Sequence, residues 1–146
     1  MKVISSRPED TEEIGFKIGR KLSAGNIVLL YGDLGAGKTT MVKGIARALG
    51  IDKKDITSAS FTIIAEYPVN PPFFHIDLYR ISKGADLDST GIWDCLGTSS
   101  ISVIEWAEHA EGEWPEDSLK VTIKDIGNDI REITIEGKNE KNWDNL

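Results

Sequence analysis

The sequence predicts one α/β domain with a mostly parallel central sheet, and three observations support this prediction. The chain has 146 residues and a single cysteine, Cys95, so it can bury a core but cannot form an intrachain disulfide. Its first third places a short, continuous apolar run between two helical patterns, as parallel α/β sheets do. Its last third alternates apolar and polar residues on both sides of residues 127–128, which predicts a C-terminal β-hairpin.

The elements of the first third follow from local signals. Ser6, followed closely by proline and acidic residues, predicts a helix start with a capping hydroxyl. Apolar residues at every fourth position from Ile14 onward continue this helix towards Gly25. Residues 27–31 are uniformly apolar and predict a buried parallel strand, and residues 41–49 predict a second amphipathic helix.

The rest of the chain predicts mainly strands. Strands are expected at residues 61–67, 73–79, 101–105, 119–123 and 130–135. Residues 86–95 predict a short irregular helix that Gly91 interrupts. We expect residues 1–137 to form the single domain and residues 138–146 to be a polar, frayed C-terminal tail.

Charge is unevenly distributed along the chain. Seventeen Lys and Arg residues against 24 Asp and Glu residues give a net charge of −7, which argues against a broad nucleic-acid-binding surface. Residues 1–50 carry +3 (eight basic, five acidic) and residues 51–146 carry −10 (nine basic, nineteen acidic). A bound polyanion is therefore expected on the first third. The acidic remainder is either a solvated surface or a surface that attracts a basic partner protein.

The apolar runs of the chain predict its compartment. The longest, residues 27–31, is far too short to cross a bilayer. The first residues also lack the apolar stretch of a secretory signal. We therefore expect a cytoplasmic protein that makes no contact with membranes.

Residues 32–39 read Gly-Asp-Leu-Gly-Ala-Gly-Lys-Thr and match the phosphate-loop pattern G-x-x-x-x-G-K-[ST] without a mismatch. The glycines let successive backbone N–H groups point at phosphate oxygens, Lys38 brings a positive charge to the β- and γ-phosphates, and Thr39 offers a hydroxyl to Mg²⁺. The predicted nucleotide-binding residues of this segment are Asp33, Leu34, Gly35, Ala36, Gly37, Lys38, Thr39 and Thr40. The strand before the loop and the helix after it predict a three-layer, P-loop NTPase-like fold. ATP is favoured over GTP because the chain contains no Asn-Lys-x-Asp tetrapeptide.

Two carboxylates, Asp77 and Glu105, each interrupt an apolar strand-like segment. A carboxylate in an apolar strand is unfavourable unless it is paired or bound to a metal ion. Both residues are therefore candidates to complete a magnesium site beside the phosphate loop.

Three motifs together resemble the bacterial TsaE (YjeE) ATPases. They are the phosphate loop at 32–40, His-Ile-Asp-Leu-Tyr-Arg at 75–80 and Ile-Glu-Trp at 104–106. The resemblance implies that Glu105 and Thr39 bind Mg²⁺, that Asp77 orders or deprotonates the attacking water, and that Thr11 lies next to the nucleotide. A contact of Arg131 with the nucleotide is suggested by analogy alone. Residues 58–61 read Ser-Ala-Ser-Phe where the family has Ser-Pro-Thr-Phe.

The same resemblance implies a Mg²⁺-dependent ATPase, with Lys38, Asp77 and Glu105 as its catalytic residues. Its implied role is in formation of threonylcarbamoyladenosine at position 37 of tRNA, where it acts on a TsaB–TsaD complex. Because Arg80 is the only arginine between Arg47 and Arg131, we expect slow hydrolysis by the isolated chain and stimulation by that complex. Contact with tRNA is expected to be indirect. A small-molecule or nucleoside kinase is the alternative, but Arg80 is the only arginine between Arg47 and Arg131, whereas such kinases have an arginine-rich lid. A third alternative is a nucleotide-switched binding module. Neither His75 nor His109 has a second histidine at metal-ligand spacing, so structural or surface roles are expected for both.

Overall fold

A computed structural model describes residues 1–57, 63–82, 87–137, 143 and 146, and over these residues its centre is one seven-stranded sheet. The strands are β1 (Lys2–Ser5), β2 (Ile27–Tyr31), β3 (Ile64–Tyr67), β4 (Phe73–Asp77), β5 (Ile101–Glu105), β6 (Leu119–Gly127) and β7 (Ile130–Glu136). Their spatial order is β1-β7-β6-β2-β5-β4-β3. The four central strands β6, β2, β5 and β4 are parallel, and the outer pairs are antiparallel. The predicted mostly parallel sheet and C-terminal hairpin are confirmed.

Helices cover the two faces of this sheet unequally. One face packs against α1 (Pro8–Lys21) and α2 (Lys38–Ala48), which share a large apolar core with β2, β5, β6 and β7. On the other face, the one-turn helix α3 (Ile92–Cys95) and the 3₁₀ helix at Ala107–Ala110 pack against β2, β4 and β5. No helix in the described ranges is long and apolar enough to cross a membrane.

The two long helices approach each other closely because glycines line their contact. A Cβ atom at Gly44 of α2 would collide with the carbonyl oxygen of Glu12 on α1, and one at Gly19 would lie 2.7 Å from Cβ of Ala48. Backbone therefore packs against backbone across this contact. The position of α2, whose first residue is Lys38, is fixed by this packing.

The first helix differs from its prediction at both ends. Its N-cap is Arg7 and no side chain caps it, so the predicted role of Ser6 as capping hydroxyl is wrong. Instead the carboxylate of Asp10 accepts the backbone N–H of Ser6 at 3.0 Å. The helix ends at Lys21, and Gly25, with φ of 94°, belongs to the turn that follows it. Proline at the first helical position supplied the start signal.

Two features of the chain ends were not predicted. The first strand, β1, pairs antiparallel with β7 at the sheet edge, and its partner residues lie more than 120 positions away, as in Lys2 opposite Thr134. Trp143 is only 6% exposed and belongs to the core beside α1 and α2, so the expectation that this residue frays is wrong. Residues 138–142, 144 and 145 lie outside the described residues, and the domain boundary at 137 stays a prediction.

Candidate functional site

The phosphate loop connects the end of β2 to the start of α2. Gly32, Gly35 and Gly37 have φ of 152°, 79° and 112°, in the region that side chains disfavour. Gly37 is the N-cap of α2, so a residue without a side chain stands directly before the free N–H groups of the helix. The loop therefore has the backbone conformation and the helix dipole that bind phosphate groups.

The Lys38 side chain lies over this loop and is only 5% exposed. Its Nζ donates to the carbonyl oxygen of Gly32 and, at 3.0 Å, to that of Asp33. The same Nζ lies 3.8 Å from the centroid of the Trp106 ring, a cation–π contact. Burial lowers the pKa of Lys38, while nearby carboxylates, Glu108 first, act to raise it. The ammonium group is thus held at the loop by oxygen atoms that phosphate oxygens can replace.

Glu105 ends β5 next to the loop and is 2% exposed. The hydroxyl of Thr39 donates to both of its carboxylate oxygens, at 3.1 and 3.3 Å. On the other side, Nε2 of His75 lies 2.5 Å from Oε2 of Glu105, and both side chains are buried. Glu105 is therefore held between a residue of the phosphate loop and a residue of β4.

Asp77 ends β4 and is the register partner of Glu105 on the neighbouring parallel strand. One of its carboxylate oxygens accepts the backbone N–H of Tyr79 at 2.9 Å. Burial raises the pKa of Asp77 above its ordinary value, and the charge of Glu105 adds to this effect. A carboxylate with a raised pKa at the edge of a binding site is typical of groups that accept a proton from a bound water.

The donor set at this edge fits a magnesium ion that is shared with a nucleotide. In the part of the chain that the structure describes, no group of three or more His, Cys, Asp or Glu side chains could hold a metal ion alone. Thr39 and Glu105, however, place a hydroxyl and a carboxylate side by side directly at the start of α2. Mg²⁺ typically takes one or two protein oxygens and completes its shell with phosphate oxygens and water.

A cleft of about 350 Å³ opens on the other side of the phosphate loop. Its lining residues are Ser6, Arg7, Pro8, Thr11, Gly35, Ala36, Gly37, Thr40, Asp129 and Arg131. Thr11 is fixed there by a 2.7 Å hydrogen bond with Ser5. Arg131 donates to the carbonyl oxygens of Ala36 and Gly35, at 3.0 and 3.4 Å, and its guanidinium pairs with Asp125 at 3.2 Å. The cleft can accommodate the nucleoside part of a ligand whose phosphates lie on the loop.

Most of the predicted site residues meet in these two places. Thr11, Gly35, Ala36, Gly37 and Thr40 line the cleft, while Lys38, Thr39, Asp77 and Glu105 meet at the edge of the sheet. The side chain of Leu34 is 75% exposed, so its predicted part in phosphate binding rests on its backbone N–H. Asp33 takes part through its backbone carbonyl, which accepts from Lys38. The serine-containing segment at 58–61 lies outside the described residues.

Sequence reasoning missed two contributors to the site. His75 was expected to have a structural or surface role, and it is buried, but the sequence did not indicate that its partner is Glu105. A period of two along β4 was the available signal, because His75 and Asp77 share one face of that strand. Glu108 was not considered at all, although it lies three positions after Glu105. Its contact with the loop depends on the path of the chain after β5, which no local pattern indicates.

Comparisons with known proteins identify relatives of this chain. The family model for TsaE, described as threonylcarbamoyl adenosine biosynthesis protein TsaE, matches residues 5–133. The chain is 37% identical over 135 residues to the tRNA threonylcarbamoyladenosine biosynthesis protein TsaE of Treponema pallidum, covering 92% of this chain and 99% of that one. The TsaE of Bacillus subtilis is 38% identical over 128 residues, covering 87% and 79%.

A solved structure extends the likeness to three dimensions. The crystal structure of YdiB from Bacillus subtilis matches with a TM-score of 0.74 and 36% sequence identity, over 95% of this chain and 86% of that one. On the family match and these relatives, the chain belongs to the TsaE family.

Proposed function

We propose that this protein is a Mg²⁺-dependent ATPase that supports threonylcarbamoyladenosine formation on tRNA. The observation that supports the ATPase part most directly is the contact of Thr39 with Glu105 under the phosphate loop, with Lys38 beside it. Membership of the TsaE family, and the names of its relatives, support the pathway.

The residues divide the work of phosphoryl transfer to water. Lys38 and the loop N–H groups bind the β- and γ-phosphates, and Lys38 stabilises the charge that develops on them. Thr39 and Glu105 would hold Mg²⁺, which would neutralise phosphate charge. Asp77 orients or deprotonates the water that attacks the γ-phosphorus while the bond to the bridging oxygen breaks. Thr11 and Thr40 contact the nucleoside side of the ligand in the cleft.

We expect the isolated chain to hydrolyse ATP slowly, because the arginine that lies at its phosphate loop is already paired. Arg131 is already engaged by two loop carbonyls and by Asp125, and a free arginine aimed at the transferred phosphoryl group accelerates such reactions by roughly 10³–10⁵-fold. We propose that a TsaB–TsaD complex supplies the missing cationic group or orders the site. The −10 charge of residues 51–146 favours docking to a basic surface of that complex, so tRNA contact through this subunit is not required.

The ATPase proposal is tested by Lys38→Ala with Lys43→Ala as the matched control. Both variants lose one positive charge from α2, but Lys43 lies more than one turn along the helix from the first position. We expect Mg²⁺-dependent ATP hydrolysis to fall about 100-fold or more in Lys38→Ala and to stay within about twofold of wild type in Lys43→Ala. Equal rates in wild type and Lys38→Ala would contradict the proposal.

The pathway proposal is tested by adding purified TsaB and TsaD. We expect the ATP hydrolysis rate to rise on mixing, and the stimulation to weaken as salt concentration increases, because the docking is electrostatic. Vigorous hydrolysis that the partners leave unchanged would indicate an autonomous enzyme. Phosphorylation of an added nucleoside or metabolite would then identify a kinase and reject the proposed role.

A further inference from the structure

Glu108 reaches the first residue of the phosphate loop from the opposite face of the sheet. It lies in the 3₁₀ helix Ala107–Ala110, which follows β5 directly. Its Oε2 accepts the backbone N–H of Gly32 at 3.4 Å. Its Oε1 is buried and has no hydrogen-bond partner among the described residues. This carboxylate therefore lies beside the loop with one oxygen that no described hydrogen bond satisfies.

Gly32 connects Glu108 to Lys38 through its own backbone N–H and carbonyl groups. The N–H of Gly32 is held by Glu108, while the carbonyl oxygen of Gly32 accepts from Lys38. Among the carboxylates that act on Lys38, Glu108 has the largest effect on its pKa, ahead of Glu105 and Asp77. Glu105 and Asp77 have roles at the magnesium edge, whereas Glu108 contacts neither Thr39 nor Glu105 in any described hydrogen bond.

We propose that Glu108 limits the affinity of the phosphate loop for nucleoside di- and triphosphates, because it places a negative charge beside the loop while holding Gly32. This proposal rests on the proposed function, that is, on ATP binding at the loop. A negative charge beside the site repels the phosphate groups and competes with them for Lys38. The consequence is faster release of ADP after each hydrolysis cycle, so Glu108 acts on exchange of the nucleotide and not on the reacting atoms.

The substitution Glu108→Gln separates charge from structure. A glutamine keeps an oxygen that can accept the N–H of Gly32, but it removes the negative charge. If Glu108 had only a structural role, its replacement would leave nucleotide affinity unchanged or weaken it. A charge role predicts the opposite sign, tighter binding. The direction of the change therefore distinguishes the two roles.

The matched control is Glu113→Gln, which makes the same change of charge five residues further along. Glu113 is exposed, its side chain lines none of the described clefts, and it makes no described contact with the loop. Glu108→Asp is the conservative variant, because it shortens the side chain and keeps its charge. Thermal unfolding of all three variants verifies that each one is folded.

Titration calorimetry with Mg²⁺ and either ADP or AMP-PNP gives the decisive measurement. We expect Glu108→Gln to bind both nucleotides about tenfold more tightly than wild type, with slower ADP dissociation, and Glu113→Gln and Glu108→Asp to change Kd by less than about twofold. Unchanged or weaker binding by Glu108→Gln, or an equal gain in Glu113→Gln, would overturn the proposal. If wild type binds neither nucleotide, the proposed ATPase function fails as well, which is a distinguishable result.

Discussion

The two faces of the sheet contribute differently to the site. On one face, α1 and α2 pack backbone against backbone through Gly15, Gly19 and Gly44, and this packing places the phosphate loop. On the other face, short helical segments cover the central strands and bring Trp106 and Glu108 to the loop. The first face has long elements with little freedom to shift, whereas the second is built from turns of three or four residues.

Under the two proposals above, this difference assigns nucleotide binding to one face of the sheet and its adjustment to the other. The loop N–H groups and the lysine that we propose to bind phosphate belong to the rigid helical face, so their geometry is set by the fold. Glu108, the first of the carboxylates that raise the pKa of Lys38, lies on a short segment that a ligand or partner protein can move more easily, whereas Glu105 and Asp77 end strands of the sheet. Four predictions test this separation, and they are ordered by the size of the expected effect.

The tight packing of the helical face is tested by Gly44→Ala. A Cβ atom at this position would collide with the backbone of α1, so the helices must move apart. We expect a loss of about 3 kcal/mol in the free energy of unfolding, measured by urea denaturation. Gly97→Ala is the control, because nothing lies within 4 Å of its added Cβ and its φ is ordinary. Similar losses in both variants would contradict the inference that close packing of α2 on α1 makes an added Cβ at Gly44 destabilising.

The two carboxylates at the edge of the sheet are separated by Glu105→Gln and Asp77→Asn. We expect both to lower ATP hydrolysis about 100-fold, but only Glu105→Gln to weaken Mg²⁺-dependent nucleotide binding, because Glu105 is the proposed metal ligand. Calorimetry with Mg²⁺ and AMP-PNP measures the difference. The reverse pattern would exchange the two roles. We expect Thr39→Ala to change the protein in the same direction as Glu105→Gln but by less, mainly by raising the Mg²⁺ concentration that hydrolysis requires.

The contact of His75 with Glu105 predicts a smaller effect on the same site. His75→Phe removes the ring nitrogen that lies 2.5 Å from the carboxylate, whereas His75→Gln can keep a donor near the same place. We expect the Mg²⁺ concentration for half-maximal hydrolysis to rise about tenfold in His75→Phe and to recover in part in His75→Gln. An equal Mg²⁺ requirement in all three proteins would assign His75 to packing alone.

The short-segment face is tested by Trp114→Phe, with the smallest expected effect. The indole N–H of Trp114 donates to the carbonyl oxygen of Ala107 at 2.9 Å, so it fixes the turn that carries Glu108. Losing this hydrogen bond is expected to lower the free energy of unfolding by about 1 kcal/mol. In Trp93→Phe, the lost bond to Asp88 is exposed, and a loss of less than about 0.5 kcal/mol is expected in the same urea measurement. A larger loss in Trp93→Phe than in Trp114→Phe would contradict this reasoning.

Prediction from the sequence succeeded where the signal was local. The buried strands at residues 27–31 and 101–105 were located with their observed bounds, because short segments rich in apolar β-branched residues are typical of central parallel strands. The hairpin strands run longer than predicted, since β6 extends to Gly127 and β7 to Glu136. Of the irregular helix predicted at 86–95, residue 86 lies outside the described residues, and the rest contains a 3₁₀ turn and α3 separated by Gly91.

Prediction failed where partners are distant along the chain. The strand β1 has four residues and no local alternation strong enough to identify it, and it is stabilised only by pairing with β7. Trp143 follows the same rule, because its burial depends on a core formed by residues far earlier in the chain. For the site, the residue types in three motifs predicted Lys38, Thr39, Asp77 and Glu105. These residues lie close together because of the register of the sheet and the contact of Thr39 with Glu105.

The sequence by itself determined the fold class, the phosphate loop and the identity of the two carboxylates, because each is encoded in contiguous residues with a physical requirement of their own. The tertiary structure decided which groups act on one another. The contacts of His75 with Glu105 and of Glu108 with Gly32 join segments that are 30 and 76 residues apart. Such contacts arise from parallel strands that end at one edge of a sheet, and the order of strands in a sheet is a property of the whole chain.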